Sequence, residues 1–117
     1  MERVIVTLRD LERDRQAVAG LQVQIEEVEA DDRQRAAEKR MLEKRWRAKR
    51  DHVDHVDRVL ASLSEQERDI LQRFYCQRLK PGEACSRLEQ RWNISRSEVH
   101  RQRVRLLEEV ALRMGYA

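Results

Sequence analysis

From Val4 onward, apolar residues return at alternating steps of three and four along the first half of the chain. The series is Val4, Thr7, Leu11, Asp14, Val18, Leu21, Ile25, Val28, Asp32, Arg35, Lys39, Leu42, Trp46, Lys49, Val53, Val56, Leu60 and Leu63, and twelve of its eighteen positions are apolar. This is a long, coiled-coil-like seam, the stripe that one helix lays against another. Three successive positions, Asp32, Arg35 and Lys39, are charged. A seam does not bury three charges in a row without a large desolvation cost, so the helix is expected to break near Ala30–Arg33. Asp31 or Asp32 then caps a second helix, with acid at the N-terminus as the helix dipole favours. Folding back about residue 32 brings Leu21 towards Leu42, Val18 towards Trp46 and Leu11 towards Val53, and sets Asp14 against Lys49 as a complementary polar layer. Residues 1–61 therefore read as an antiparallel helical hairpin, an arm. No Gly or Pro enforces its turn, and one continuous helix dimerising in parallel is the alternative.

Composition extends the helical reading to the whole chain. Among 117 residues there are only three Gly and one Pro, too few to punctuate hairpins, and Ala, Glu, Leu, Arg, Gln and Val favour helix. An all-α fold follows, of a size for one domain or a small domain plus an arm. No apolar run approaches a membrane span, and the alternating charged and apolar N-terminus is not a signal peptide, so a cytoplasmic protein is expected. Cys76 and Cys85 lack the spacing of a four-ligand zinc site and read as reduced, partly buried thiols. In Asp51-His52-Val53-Asp54-His55-Val56-Asp57, the histidines at i, i+3 with Asp51 and Asp54 resemble a one-face metal site. The plainer reading prevails: the valines occupy the seam and the His and Asp residues flank it in solvent. No cofactor and no metal are expected.

Net charge is only +3, but it is unevenly spread. Residues 1–61 hold 14 basic and 14 acidic side chains, whereas residues 62–117 hold 11 and 8. Arg91, Arg96, Arg101, Arg103 and Arg105 face Glu98 alone within 91–105, and Lys39, Arg40, Lys44, Arg45, Arg47, Lys49 and Arg50 face only Glu43. Such blocks suit a polyanion, although the second reads more readily as a solvated helix face.

Residues 62–117 carry strong local signals. Ser64-Glu65-Gln66-Glu67 fits a capping box opening a helix with Ile70, Leu71, Phe74 and Tyr75 on its apolar side. Pro81 begins the next helix, which carries Leu88 and Trp92 inward. Asn93 takes the turn, being among the residues that best tolerate the left-handed conformation. Ser95 to Glu98 forms a second capping box, and Ile94 and Val99 a hydrophobic staple, so the start of the last helix is set locally. With Ile94, Val99, Leu106 and Val110 inward, its outward face shows Arg96, Ser97, His100, Arg101, Val104 and Arg105. Arginine bridges guanine or binds phosphate, serine reaches a base edge or a phosphate, and histidine is suited to either. Arg96, Ser97, His100, Arg101 and Arg105 are accordingly the candidate DNA-binding residues.

Two segments carry a resemblance. LSEQERDILQRFY (63–75) with ISRSEVHRQRVRLLE (94–108) is similar to the sigma-70 region 4-like helix-turn-helix. Leu63, Glu67, Arg68, Ile70, Leu71 and Tyr75 match its first part, and Leu88, Trp92, Ile94, Ser95 and Val99 its second; together they cover about 50 of 117 residues. A helical arm ahead of such a module resembles small phage and prophage transcriptional regulators. The resemblance implies sequence-specific binding of double-stranded DNA, with the helix from Ser95 in the major groove and Arg96, Ser97, His100 and Arg101 facing it. Two residues depart from the pattern. Glu89 stands where a small residue is usual at a close helix crossing, so it must lean outward or the crossing must open. Gln102 stands where an apolar core residue is common. A −10-binding region has no counterpart, so a complete sigma factor is not expected.

A DNA-binding transcriptional regulator, dimeric through its arm, is the leading expectation. A phage DNA-packaging protein of the small terminase kind, with the arm building a ring, is a second. A module that contacts RNA polymerase, with DNA incidental, is a third. No nucleophile–base pair, phosphate-binding Gly loop or paired-carboxylate pocket is legible, so an enzyme is not expected.

Overall fold

The computed structural model describes residues 2–28, 33–77 and 79–116, residues 33 and 34 by their backbone alone. Every regular element among them is helical: α1 (Glu2–Glu27), α2 (Arg33–Ala61), α3 (Glu65–Leu71), α4 (Pro81–Trp92) and α5 (Arg96–Met114). The all-α expectation holds. No helix is long and apolar enough to cross a membrane among these residues. α1 closes at Glu27, with Val28 in a turn bonded back to Gln24 and Ile25, so a single uninterrupted helix does not form. The expected break at Ala30–Arg33 and the cap at Asp31 or Asp32 fall on residues 29–32, outside those described.

By its contacts the chain divides into two compact units, Glu12–His55, and Met1–Leu11 with Val56–Ala117. The first is a helical hairpin. Asp14 Oδ1 accepts from Lys49 Nζ at 3.0 Å, the polar layer that folding back about residue 32 requires. His52 Nε2 lies 3.7 Å from the other Asp14 oxygen, and Asp14 is 7% exposed. A carboxylate so enclosed is stable only because the Lys49 ammonium faces it. Val53 is buried, as its seam position demands, while Val18, Leu21, Ile25, Leu42 and Trp46 are only half-buried. Two helices alone cannot cover both sides of a seam. Asp51 and Asp54 are exposed, in line with a solvated flank.

The second unit holds most of the core. The division of contacts does not fall at residue 61: the first turns of α1 and the last of α2 are built into this unit. Val4, Leu8 and Val56 are wholly buried, as are Ile70, Leu71, Leu88, Val99, Leu106 and Val110 from the helices that follow. Each Å² of apolar surface so buried gains about 25 cal/mol. At the C-terminal end, Gly115 adopts φ 83°, which a residue without Cβ tolerates, and Tyr116 N–H bonds Ala111 O at 2.8 Å. This cap places the Tyr116 hydroxyl 3.0 Å from Thr7 Oγ1, with the Arg3 guanidinium 4.4 Å above its ring.

Candidate nucleic-acid interface

The local signals in residues 62–117 translate into structure one by one. Ser64 caps α3 with both halves of the capping box formed: Glu67 N–H donates to Ser64 Oγ at 3.2 Å, and Ser64 N–H donates to Glu67 Oε1 at 2.9 Å. The Ser64 amide bond to the carboxylate, with lesser help from the Ser64 hydroxyl and Arg105, holds the Glu67 carboxyl below its usual value. After Leu71 the helix widens into a π-type turn over Gln72–Cys76, with Phe74 and Tyr75 inward. Burial raises the Tyr75 phenol above its usual value. Pro81 takes the first position of α4, where its missing N–H costs nothing.

The connection from α4 to α5 turns on one residue. Asn93 sits at φ 52°, ψ 48°, the only non-glycine with positive φ among the described residues. Ser95 then caps α5, accepting from Glu98 N–H at 3.1 Å. The second capping box forms only by this half. Instead of reaching back to Ser95 N–H, the Glu98 carboxylate takes Gln102 Nε2 at 3.0 Å on one oxygen and Arg101 Nη2 on the other. Donors one turn ahead, one of them charged, outbid the backbone amide. The Gln102 bond and the Arg101 charge lower the Glu98 carboxyl below its usual value.

α5 packs on α3 and α4, and its exposed side carries most of the expected DNA-facing residues. Arg96, Ser97, Arg101, Val104 and Arg105 are all exposed. His100 is not among them. It is half-buried, with Nε2 3.4 Å from Cys85 Sγ and its ring 6.3 Å from that of Phe74. On a helix, His100 shares a stripe with Leu107 and Ala111, seven and eleven residues on, and both are buried. It marks the edge of the core rather than the outward face, and Cys85 beside it is a buried free thiol, with Cys76 half-buried.

The arginines of this face are paired within the molecule. Arg96 Nε meets Glu89 Oε1 at 3.1 Å, Arg101 meets Glu98, and Arg105 meets Glu67 at 3.2 Å and Glu109 at 3.5 Å. Glu89 is thereby accounted for: it leans out of the α4–α5 crossing and reaches across the turn. Gln102 also lies at the edge of the core, half-buried and hydrogen-bonded to Glu98 and Gln66. Such pairs among exposed side chains are worth only about 0–1 kcal/mol, so a phosphate can replace a carboxylate at little cost.

One residue of consequence escaped sequence reasoning, which placed the acids on solvated helix faces. Asp69 on α3 is 7% exposed. Its Oδ1 accepts from Arg73 Nε at 2.9 Å, and its Oδ2 from Trp92 Nε1 at 2.8 Å with Arg91 at 3.4 Å. Trp92 is correspondingly half-buried, its indole N–H spent on this carboxylate. Arg91 also reaches Glu65 at 3.1 Å. The last turn of α4, immediately before Asn93, is thus anchored to α3 by charge. Arg73 four residues after Asp69 was a readable signal; the partnership with Trp92, 23 residues away, was not.

Among the described residues no group of three or more His, Cys, Asp or Glu side chains is placed to hold a metal ion. No family model, no curated protein and no solved structure matches this chain.

Proposed function

We propose that this chain binds double-stranded DNA through a helix-turn-helix made of α4, the Asn93 turn and α5, and acts as a transcriptional regulator of the phage or prophage kind. One observation carries the reading. Arg96, Ser97 and Arg101 stand exposed together on the first turns of α5, whose start is defined by the left-handed Asn93 and the Ser95 cap. Arginine and serine at the N-terminal end of a helix are the groups that reach base edges and phosphates when such a helix enters the major groove. The Asp69 network supports it further by holding the end of α4 in place. His100, turned towards Cys85, is removed from the set of readers; Arg105 remains as a phosphate contact. The half-buried seam of the hairpin supports a second copy of the chain as partner through the arm.

In vitro selection of bound duplexes at controlled salt tests the proposal. A recovered motif is expected, and Arg101→Gln is expected to weaken binding to it by roughly 1–3 kcal/mol and to relax preference at one base pair. Recovery of no motif, or full retention of affinity and preference in the variant, refutes it. A second reading has one observation in its favour. Val104 and Leu112 lie on the outward side of α5 at 49% and 65% exposure, an apolar pair suited to a protein surface such as that of RNA polymerase. Capture of polymerase without any duplex binding selects that reading.

A further inference from the structure

The exposed cations of this protein differ in their partners. In the C-terminal unit the exposed arginines Arg87, Arg91, Arg96, Arg101, Arg105 and Arg113 each stand against a glutamate. In the hairpin unit, Lys49 is taken by Asp14, and Arg50 stacks 4.3 Å over the Trp46 ring and meets Asp51 at 3.6 Å. Arg40, Lys44, Arg45 and Arg47 are exposed and have no carboxylate partner among the described residues. Arg40, Lys44 and Arg47 follow one another at steps of four and three, so they share one side of α2, turned away from the seam positions Leu42, Trp46 and Val53. Ala36, Ala37 and Ala48 flank them, and Asp51 closes the row.

Like charges four residues apart destabilise a free helix, by about 0.2–0.5 kcal/mol per pair. Glu43, three residues after Arg40 and four before Arg47, stands beside the row without an ion pair to either among the described residues, and alanines hold other flanking positions. The steps correspond to about 6 and 4.5 Å of rise along the helix. That range lets flexible Lys and Arg side chains reach successive phosphates of one strand, where charges recur about every 3.4 Å of axis.

We propose that the Arg40–Lys44–Arg47 face of α2 is a second, sequence-independent contact for the phosphate backbone of duplex DNA, separate from α5. The choice of duplex as the polyanion rests on the function proposed above. A membrane surface fits less well, because the side of α2 that would have to enter lipid is the seam that pairs with α1.

The test uses the full chain, a duplex of random sequence and the dependence of affinity on salt. Arg40→Gln, Lys44→Gln and Arg47→Gln are combined, glutamine preserving helix propensity, and unchanged circular dichroism confirms folding. Removing three phosphate contacts lowers the magnitude of the salt slope by about 2–3 and the affinity at about 0.1 M salt by tens to a few hundredfold. Arg87→Gln, which removes an already paired cation, shifts the slope by less than about 0.5 on the same scale. A triple variant with an unchanged slope overturns the proposal. So does a wild-type chain that ignores duplex at low salt but binds phosphatidylserine vesicles. If the triple variant is unchanged while Arg101→Gln loses its selected motif, the α2 contact fails and the reading of α5 stands. If the triple variant loses duplex binding while no motif is ever selected, the α2 contact stands and the reading of α5 fails.

Discussion

The Asp69 network offers the sharpest perturbation. Asp69→Asn keeps the shape of the side chain but removes its charge and one acceptor oxygen. Three donors converge on the carboxylate: Arg73 at 2.9 Å, Trp92 Nε1 at 2.8 Å and Arg91 at 3.4 Å. The Asp69 side chain is 9% exposed and Arg73 17%, so this pair is close to buried, whereas Arg91 at 45% is largely solvated. Removing one member of a buried pair costs about 3–5 kcal/mol, and a hydrogen bond to a charged group is worth about 1.5–3. The Arg91 contribution is discounted for solvent. Asparagine retains one acceptor, so Asp69→Asn is expected to cost about 2–3 kcal/mol, and Asp69→Ala about 3–4. Trp92→Phe removes the donor together with part of the ring and is expected to cost about 1–3 kcal/mol. Urea unfolding followed by circular dichroism measures each value. In the double variant Asp69→Asn/Trp92→Phe the losses should fall short of their sum by about 1 kcal/mol, because the two groups act through one bond. A cost below about 0.5 kcal/mol for Asp69→Asn, or strict additivity, refutes the reasoning. Because the network ends beside Asn93, the proposed DNA binding is expected to weaken with the loss.

Two further outcomes follow from the caps. Asn93→Ala is expected to cost about 1 kcal/mol, since alanine adopts the left-handed conformation less readily, while Asn93→Gly stays within about 0.5 kcal/mol of wild type; thermal unfolding separates the two. The Glu67 carboxyl is held below its usual value by the Ser64 amide and, in lesser part, by the Ser64 hydroxyl and Arg105. Its charge therefore contributes stability that is present in full above the usual carboxylate range and is lost as pH falls through the lowered folded value. Glu67→Gln should flatten that acid limb in a pH series of unfolding curves, and an unaltered limb refutes the assignment.

Much of the structure was legible because it is local. The 3–4 series needs only neighbouring residues to specify a helix and its inner stripe. The Asp14–Lys49 layer then follows from folding that stripe on itself. Ser64, Pro81, Asn93 and Ser95 act through bonds and dihedral preferences spanning three or four residues, and each occupies its expected place. The outward positions of Arg96, Ser97, Arg101 and Arg105 follow from the same periodicity.

What only the tertiary structure decided concerns choices among partners distant in sequence. Glu98 prefers Arg101 and Gln102 over the reciprocal box, a competition between donors of comparable reach. His100 lies close enough to the margin of the apolar stripe that helical periodicity leaves its side open, and Cys85 and Phe74 draw it in. Asp69 looks like one more solvated acid until Trp92 arrives from another helix. The first turns of α1 join the C-terminal core through contacts between segments far apart in sequence, which no local window contains. The sequence alone determined the helices, the caps at Ser64 and Ser95 and most of the inner faces, since backbone preference and side-chain period reside in neighbouring residues. Tertiary structure determined which charges are paired and which stand open, since that depends on surfaces brought together only by folding.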